Sequence, residues 1–88
     1  MAKIEIYTKS YCPYCKAAKQ TLTSMGLSYR EIEVSTNQAL FNEMVNRSQR
    51  KTVPQIFVGD DHIGGHDDLM AAIKSGQFTQ VLMSQTSH

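Results

Sequence analysis

Two cysteines stand two residues apart in Lys9-Ser10-Tyr11-Cys12-Pro13-Tyr14-Cys15-Lys16. Thiols at that spacing can close a disulfide with each other and exchange it with a second one. Upstream, Lys3 to Thr8 reads as a strand, with Ile4 and Ile6 on one face. Downstream, Cys15 to Met25 reads as a helix, because Ala18, Leu22 and Met25 recur at helical spacing and Gly26 stops it. Cys12 then falls near the N-cap and Pro13 at the first helical position, where its missing N–H costs nothing. The unpaired N–H groups and the dipole of a helix start favour negative charge, so they stabilise a thiolate at Cys12. Lys9 and Lys16 add positive charge nearby. Cys15, a turn further in, is expected to be less exposed. The chemistry this predicts is attack by Cys12 on a disulfide, then resolution of the mixed disulfide by Cys15 or a free thiol.

Two other uses of the cysteines compete. Packing alone does not require a helix start with proline between them. A zinc site could add His62 and His66, four apart, to give Cys-x2-Cys followed by His-x3-His. But 46 residues (16–61) separate Cys15 from His62, against roughly 12–15 in a zinc finger of that type. No metal is expected.

The positioning elements follow from the remaining pattern. Ser28 to Val34, with Ile32 and Val34 alternating against Glu31 and Glu33, reads as a second strand. Strand, helix and strand make a βαβ unit with parallel strands. Ser35, Thr36 and Asn37 are candidate N-caps for a second helix, whose apolar stripe is Leu40, Phe41, Met44 and Val45. Arg47 to Lys51 reads as a loop. Ile56 to Val58 is a third strand entered through Pro54, Gly59-Asp60-Asp61 a hairpin turn, and His62-Ile63 a short fourth strand. After Gly64-Gly65, Asp67 and Asp68 mark the start of a third helix carrying Leu69, Met70 and Ile73 and ending near Gly76. Phe78, Val81 and Leu82 fit one more short helical turn, and Ser84 to His88 a frayed end.

Eighty-eight residues, 41% hydrophobic and 19% charged, suit one globular domain over 1–88. A net charge of +1 gives no electrostatic case for nucleic acid. Met1-Ala2-Lys3-Ile4-Glu5 holds no long apolar run, which argues against a signal peptide or membrane span. Two cysteines in such a chain point to redox or metal chemistry and a cytoplasmic setting.

The order βαβ then ββα, with Cys-Pro-Tyr-Cys after the first strand, resembles the thioredoxin fold. Four features narrow the resemblance to a dithiol glutaredoxin: Tyr7-Thr8-Lys9, Cys12-Pro13-Tyr14-Cys15, Thr52-Val53-Pro54, and Gly64-Gly65 followed by Asp67-Asp68. A thioredoxin would carry Trp before Cys-Gly-Pro-Cys, and this chain has no Trp. The resemblance implies an α/β, thioredoxin-like, four-stranded mixed sheet flanked by three or four helices. It also implies a site for glutathione, with Cys12 as nucleophile and Cys15 as resolving thiol. Lys9 would face the glycine carboxylate and Tyr14 would flank the sulfur. Thr52 and Val53, before a Pro54 expected to be cis, would pair with the cysteine moiety, as in β-strand addition. Gly65, Asp67 and Asp68 would hold the γ-glutamyl end, a helix start receiving the carboxylate and an Asp the ammonium. A second contact to the glycine carboxylate would come from Asn46, Arg47 or Arg50, and the sequence leaves that choice open. His66 stands where relatives vary, some carrying a further cysteine, and reads as a surface histidine.

The activity this implies is glutathione-dependent reduction of protein disulfides and of protein–glutathione mixed disulfides by a monomer, with glutathione as co-substrate. The alternative the resemblance raises is a carrier of a glutathione-ligated [2Fe–2S] cluster shared between two subunits. Pro13 and Cys15 argue against it, because a stiff turn and a competing internal disulfide both disfavour the bridged dimer.

Overall fold

The computed structural model describes residues 3–86; Met1, Ala2, Ser87 and His88, read above as part of the chain ends, lie outside them. The elements are β1 (Ile4–Thr8), α1 (Pro13–Ser24), β2 (Arg30–Glu33), α2 (Gln38–Ser48), β3 (Gln55–Val58), β4 (Asp61–Gly64), α3 (His66–Ser75) and α4 (Gln77–Thr86). The sheet order is β2-β1-β3-β4. β1 pairs parallel with β2, Glu5 opposite Arg30, and antiparallel with β3, Ile6 opposite Ile56. β3 and β4 are antiparallel. The sheet is therefore mixed, as expected, and this is a thioredoxin-like fold.

β1 is central and buried along its whole length. Its alternating side chains feed two cores on opposite faces of the sheet. Ile4 and Ile6 join Ala18 and Leu22 of α1, Ile56 and Val58 of β3, Leu69 and Ala72 of α3, and Phe78 of α4. Tyr7 points the other way, with Ile32, Val34, Phe57 and Met44 of α2. The helical stripes read from the sequence thus face the cores through Ala18, Leu22, Leu40, Phe41, Met44, Val45, Leu69 and Ile73, whereas Met25 and Met70, expected in them, are exposed.

Several boundaries differ from the expectation. α2 continues through Arg47 and Ser48, which were expected in a loop. The Ser48 hydroxyl donates to the Met44 carbonyl at 2.7 Å and holds that last turn, and Gln49 ends it with φ 61°. Asn37 is the N-cap, its Oδ1 accepting from Leu40 N–H. Asp61 belongs to β4 rather than to the turn, since it pairs with Val58 and leaves a two-residue connection. β2 is shorter than Ser28–Val34. The short turn expected around Phe78 is a ten-residue helix, because Phe78 is fully buried and anchors it on α3 and the sheet. Ser84, expected in a frayed end, is still helical. No helix among the described residues is long and apolar enough to cross a membrane.

Candidate active site

β1 delivers the chain to residues 9–12, and α1 begins with Cys12 as its N-cap and Pro13 in its first turn. Cys12 is extended (φ −100°, ψ 111°), and its Sγ accepts from the Cys15 N–H at 3.2 Å. Sulfur here does what a Ser or Asp oxygen does at an ordinary helix start. Cys12 is partly exposed, while Cys15 is 1% exposed, and both are free thiols. Burial, reinforced by the hydrogen bond with Cys12, pushes the Cys15 thiol up to about 12. The pair is thus divided into an accessible sulfur at a helix N-terminus and a buried, protonated one beneath it.

The chain entering β3 lies alongside. The Val53–Pro54 bond is cis, and the Cys12 thiol approaches the Val53 carbonyl at 3.8 Å. A cleft of about 260 Å³ opens there. Seven of its lining residues are ones the sequence nominated: Tyr14, Thr52, Val53, Pro54, Gly65, Asp67 and Asp68. The eighth is His66, whose ring centroid lies 5.8 Å from that of Tyr14. The His66 Nδ1 is buried without a hydrogen bond and stands 3.5 Å from Asp67 Oδ1. His66 is therefore a wall of the cleft and not the simple surface histidine expected.

At the α3 end, Asp68 Oδ2 accepts from the Gly65 N–H at 3.0 Å and from Arg50 Nη1 at 2.8 Å. Arg50 and, next, the Gly65 amide hold the Asp68 carboxyl below the usual carboxylate range. Arg50 is thus the one of the three basic or polar candidates that meets a nominated residue. Arg47 lies elsewhere, stacked 4.0 Å from the Phe57 ring centroid and bonded to Glu5 Oε1 at 3.1 Å and the Tyr7 hydroxyl at 2.8 Å. The Asn46 carbonyl accepts from the Gln49 side chain.

Lys9 is not part of the main cleft. Its Nζ lies 5.5 Å from the Phe41 ring centroid, and it lines a second depression with residues 34–38 at the start of α2. Sequence reasoning also missed the support behind Thr52. Gln55 is fully buried, its Nε2 donating to the Thr52 carbonyl at 3.0 Å and hydroxyl at 3.2 Å. His62 Nε2 lies 2.7 Å from Gln55 Oε1, and its ring stacks on Phe57 with centroids 4.9 Å apart. A glutamine between Pro54 and the apolar run Ile56 to Val58 was the available signal. His62 and His66 are consequently committed to different surroundings. Among the described residues, no group of three or more His, Cys, Asp or Glu side chains converges as a metal site.

The arrangement offers a sulfur nucleophile, a second thiol one turn below it, and an adjoining cleft bounded by strand-entry backbone on one side and a helix N-terminus on the other. An extended peptide carrying both a carboxylate and an ammonium suits such a cleft.

Comparisons with known proteins agree on one family. The glutaredoxin family profile matches residues 4–63. The chain is 50% identical over 82 residues to Glutaredoxin 3 of Escherichia coli (strain K12), covering 93% of this chain and 99% of that protein. It is 39% identical over 82 residues to the Pseudomonas aeruginosa glutaredoxin, covering 93% and 98%. Among solved structures, the Brucella melitensis glutaredoxin in solution superposes with a TM-score of 0.82 at 42% identity, covering 100% of this chain and 94% of that one. A buckwheat glutaredoxin–glutathione complex superposes with a TM-score of 0.84 at 28% identity, covering 94% and 78%.

Proposed function

The chain belongs to the glutaredoxin family, and from that premise we propose that it reduces protein–glutathione mixed disulfides and protein disulfides, with glutathione as the electron donor. The observation that carries this reading is the Cys12 sulfur at the N-cap of α1, bonded to the Cys15 amide and set against the Val53 carbonyl. The helix start points its unpaired N–H groups at this sulfur, which suits it to the role of nucleophile and leaving group.

Glutathione would lie along the cleft. The Val53 backbone would pair with its cysteine residue, leaving the glutathione sulfur facing Cys12 with Tyr14 at its side. Thr52, held from behind by Gln55, and Pro54 would shape that wall. The γ-glutamyl carboxylate would meet the first turn of α3 at Gly65 and Asp67, and its ammonium would meet Asp68. Because Asp68 Oδ2 already accepts twice, Oδ1 is the oxygen left for the ammonium. Lys9, in the depression at the start of α2, would serve the glycine carboxylate. Arg50 would serve the glutamyl end rather than the glycine end, in keeping with its bond to Asp68. A cytoplasmic monomer remains the setting we propose.

In the mixed-disulfide route, Cys12 attacks the glutathione sulfur of the target and releases the target thiol. A second glutathione then attacks the Cys12–glutathione disulfide and leaves as glutathione disulfide. In the dithiol route, Cys12 attacks a protein disulfide, and Cys15, held at high effective concentration, displaces the target from Cys12. The test is both activities in wild type, Cys12→Ser and Cys15→Ser. Cys12→Ser should abolish both. Cys15→Ser should keep most of the mixed-disulfide activity and lose much of the protein-disulfide activity. Equal loss of both in a folded Cys15→Ser protein would overturn this division.

A further inference from the structure

The dithiol route, on which this inference rests, demands something the site does not obviously provide. Cys15 must lose its proton before it can attack, yet it is 1% exposed and its thiol is pushed well up. Two influences that hold the proton on, the hydrogen bond and the charge of Cys12, disappear once Cys12 is bound in a mixed disulfide. What remains is burial, opposed by the Lys9 backbone N–H and the Lys19 ammonium. Of these, Lys19 is the ionised side chain.

Lys19 lies four residues after Cys15 within α1, so the two are neighbours on one helix face. It is held in place. Its Nζ stands 2.9 Å from Glu31 Oε2 on β2, and the same oxygen accepts from the buried Thr8 hydroxyl at 2.7 Å at the end of β1. The sheet thereby fixes a lysine head that would otherwise sample many rotamers, one turn below the cysteine pair. The groups facing Lys19 are Glu31, Tyr29 and Cys15; those acting on Cys15 are Cys12, the Lys9 amide and Lys19. Glu31 anchors the ammonium from the β2 side, so the charge four residues on from Cys15 is the lysine end of an ion pair.

We infer that Lys19 is a positioning residue for the resolving step: tethered by Glu31 and Thr8, it presents a fixed positive charge to Cys15 and steadies the thiolate as it forms. The step balances. The Cys15 thiolate attacks the Cys12 sulfur, a Cys12–Cys15 bond forms and the Cys12–target bond breaks. The target sulfur leaves with the electron pair and takes up the proton that Cys15 gave to solvent.

Single-turnover oxidation by glutathione disulfide tests this. Reduced protein first forms the Cys12–glutathione adduct and then closes the internal disulfide, and mass spectrometry of quenched samples follows both steps across pH. Lys19→Met, which keeps the apolar stem, should slow closure on the order of tenfold near neutrality. It should also move the pH profile of closure upward while leaving adduct formation unchanged. Lys19→Arg should restore the wild-type rate and profile. The inference is overturned if Lys19→Met closes at the wild-type rate, if it slows adduct formation and closure alike, or if Lys19→Arg fails to rescue. A wild-type protein that forms no adduct at all would overturn the proposed function itself, and this inference with it.

Discussion

Arg50 Nη1 lies 2.8 Å from Asp68 Oδ2, linking the segment that leads into Thr52-Val53-Pro54 to the first turn of α3. The two sides of the cleft are thus joined by one ion pair, both members about half exposed. Such a pair adds little to folding stability. It turns one Asp68 oxygen toward Arg50 and Gly65, and under the proposed function the other is left for the ligand. Asp68→Ala should weaken glutathione binding by about 1 kcal/mol, the exposed setting discounting a full charged hydrogen bond. The effect should appear in the KM for glutathione and not in the alkylation rate of Cys12. An unchanged KM would reduce Asp68 to a helix cap.

Gly64 carries φ +119°, and a Cβ there would stand 2.7 Å from Asp68 Cβ and closer still to Oδ2. Gly64→Ala must therefore both strain the backbone and move Asp68. Urea unfolding should show a loss of about 2–3 kcal/mol, accompanied by a raised KM for glutathione. Gly26 is the control. Its φ is +75°, but a Cβ there would meet nothing within 4 Å, so Gly26→Ala should cost only about 1 kcal/mol and leave KM alone.

Cys15 makes stability depend on alkaline pH. Its ordinary value is 9.0, and burial followed by the Cys12 hydrogen bond pushes it up to about 12 in the folded protein. Between those values the unfolded thiol gives up its proton while the folded one keeps it. The unfolded state then binds fewer protons, and stability falls as pH rises through this window. Burial raises Tyr7 as well, which adds a fall of the same sign at higher pH. Under reducing conditions the urea midpoint should drop more steeply from about pH 8 to about pH 10 in wild type than in Cys15→Ala. Parallel curves would show that Cys15 titrates normally.

Arg47 stacks on Phe57 and pairs with Glu5, a carboxylate only 9% exposed that Arg30 and Lys3 approach no closer than 3.8 and 4.0 Å. Arg47→Ala should cost about 2 kcal/mol of stability, because it removes packing and leaves Glu5 with its weaker partners. The KM for glutathione should not change, since Arg47 faces the α2 side of the sheet. A raised KM in a variant of normal stability would return Arg47 to the binding site.

The placement of Cys12 and Cys15 was legible in the chain because it is local. A helix start is decided by Cys12, Pro13 and the next turn, and the cap bond runs from Cys15 to Cys12 only three residues away. The same holds for Asp68 capping Gly65 and for the alternation that put Ile4 and Ile6 on one face, whereas Asn37 was one of three N-cap candidates and only the fold shows it capping Leu40. What the tertiary structure alone decided are pairings between distant segments: Arg50 with Asp68 eighteen residues on, Cys12 with Val53 forty-one on, Arg47 with Glu5 forty-two back, and Lys19 with Glu31 across the β1–β2 crossover. No spacing rule encodes these. Each depends on where the sheet order β2-β1-β3-β4 brings two chain segments within a side chain's reach. Arg47 shows the difference most directly. In the sequence it is one of three polar residues before Thr52, equally able to reach a ligand. In the fold, the extra turn of α2 held by Ser48 carries it onto Phe57 and Glu5, where burying its stem and pairing its charge outweigh solvation, and Arg50 is left to close the cleft.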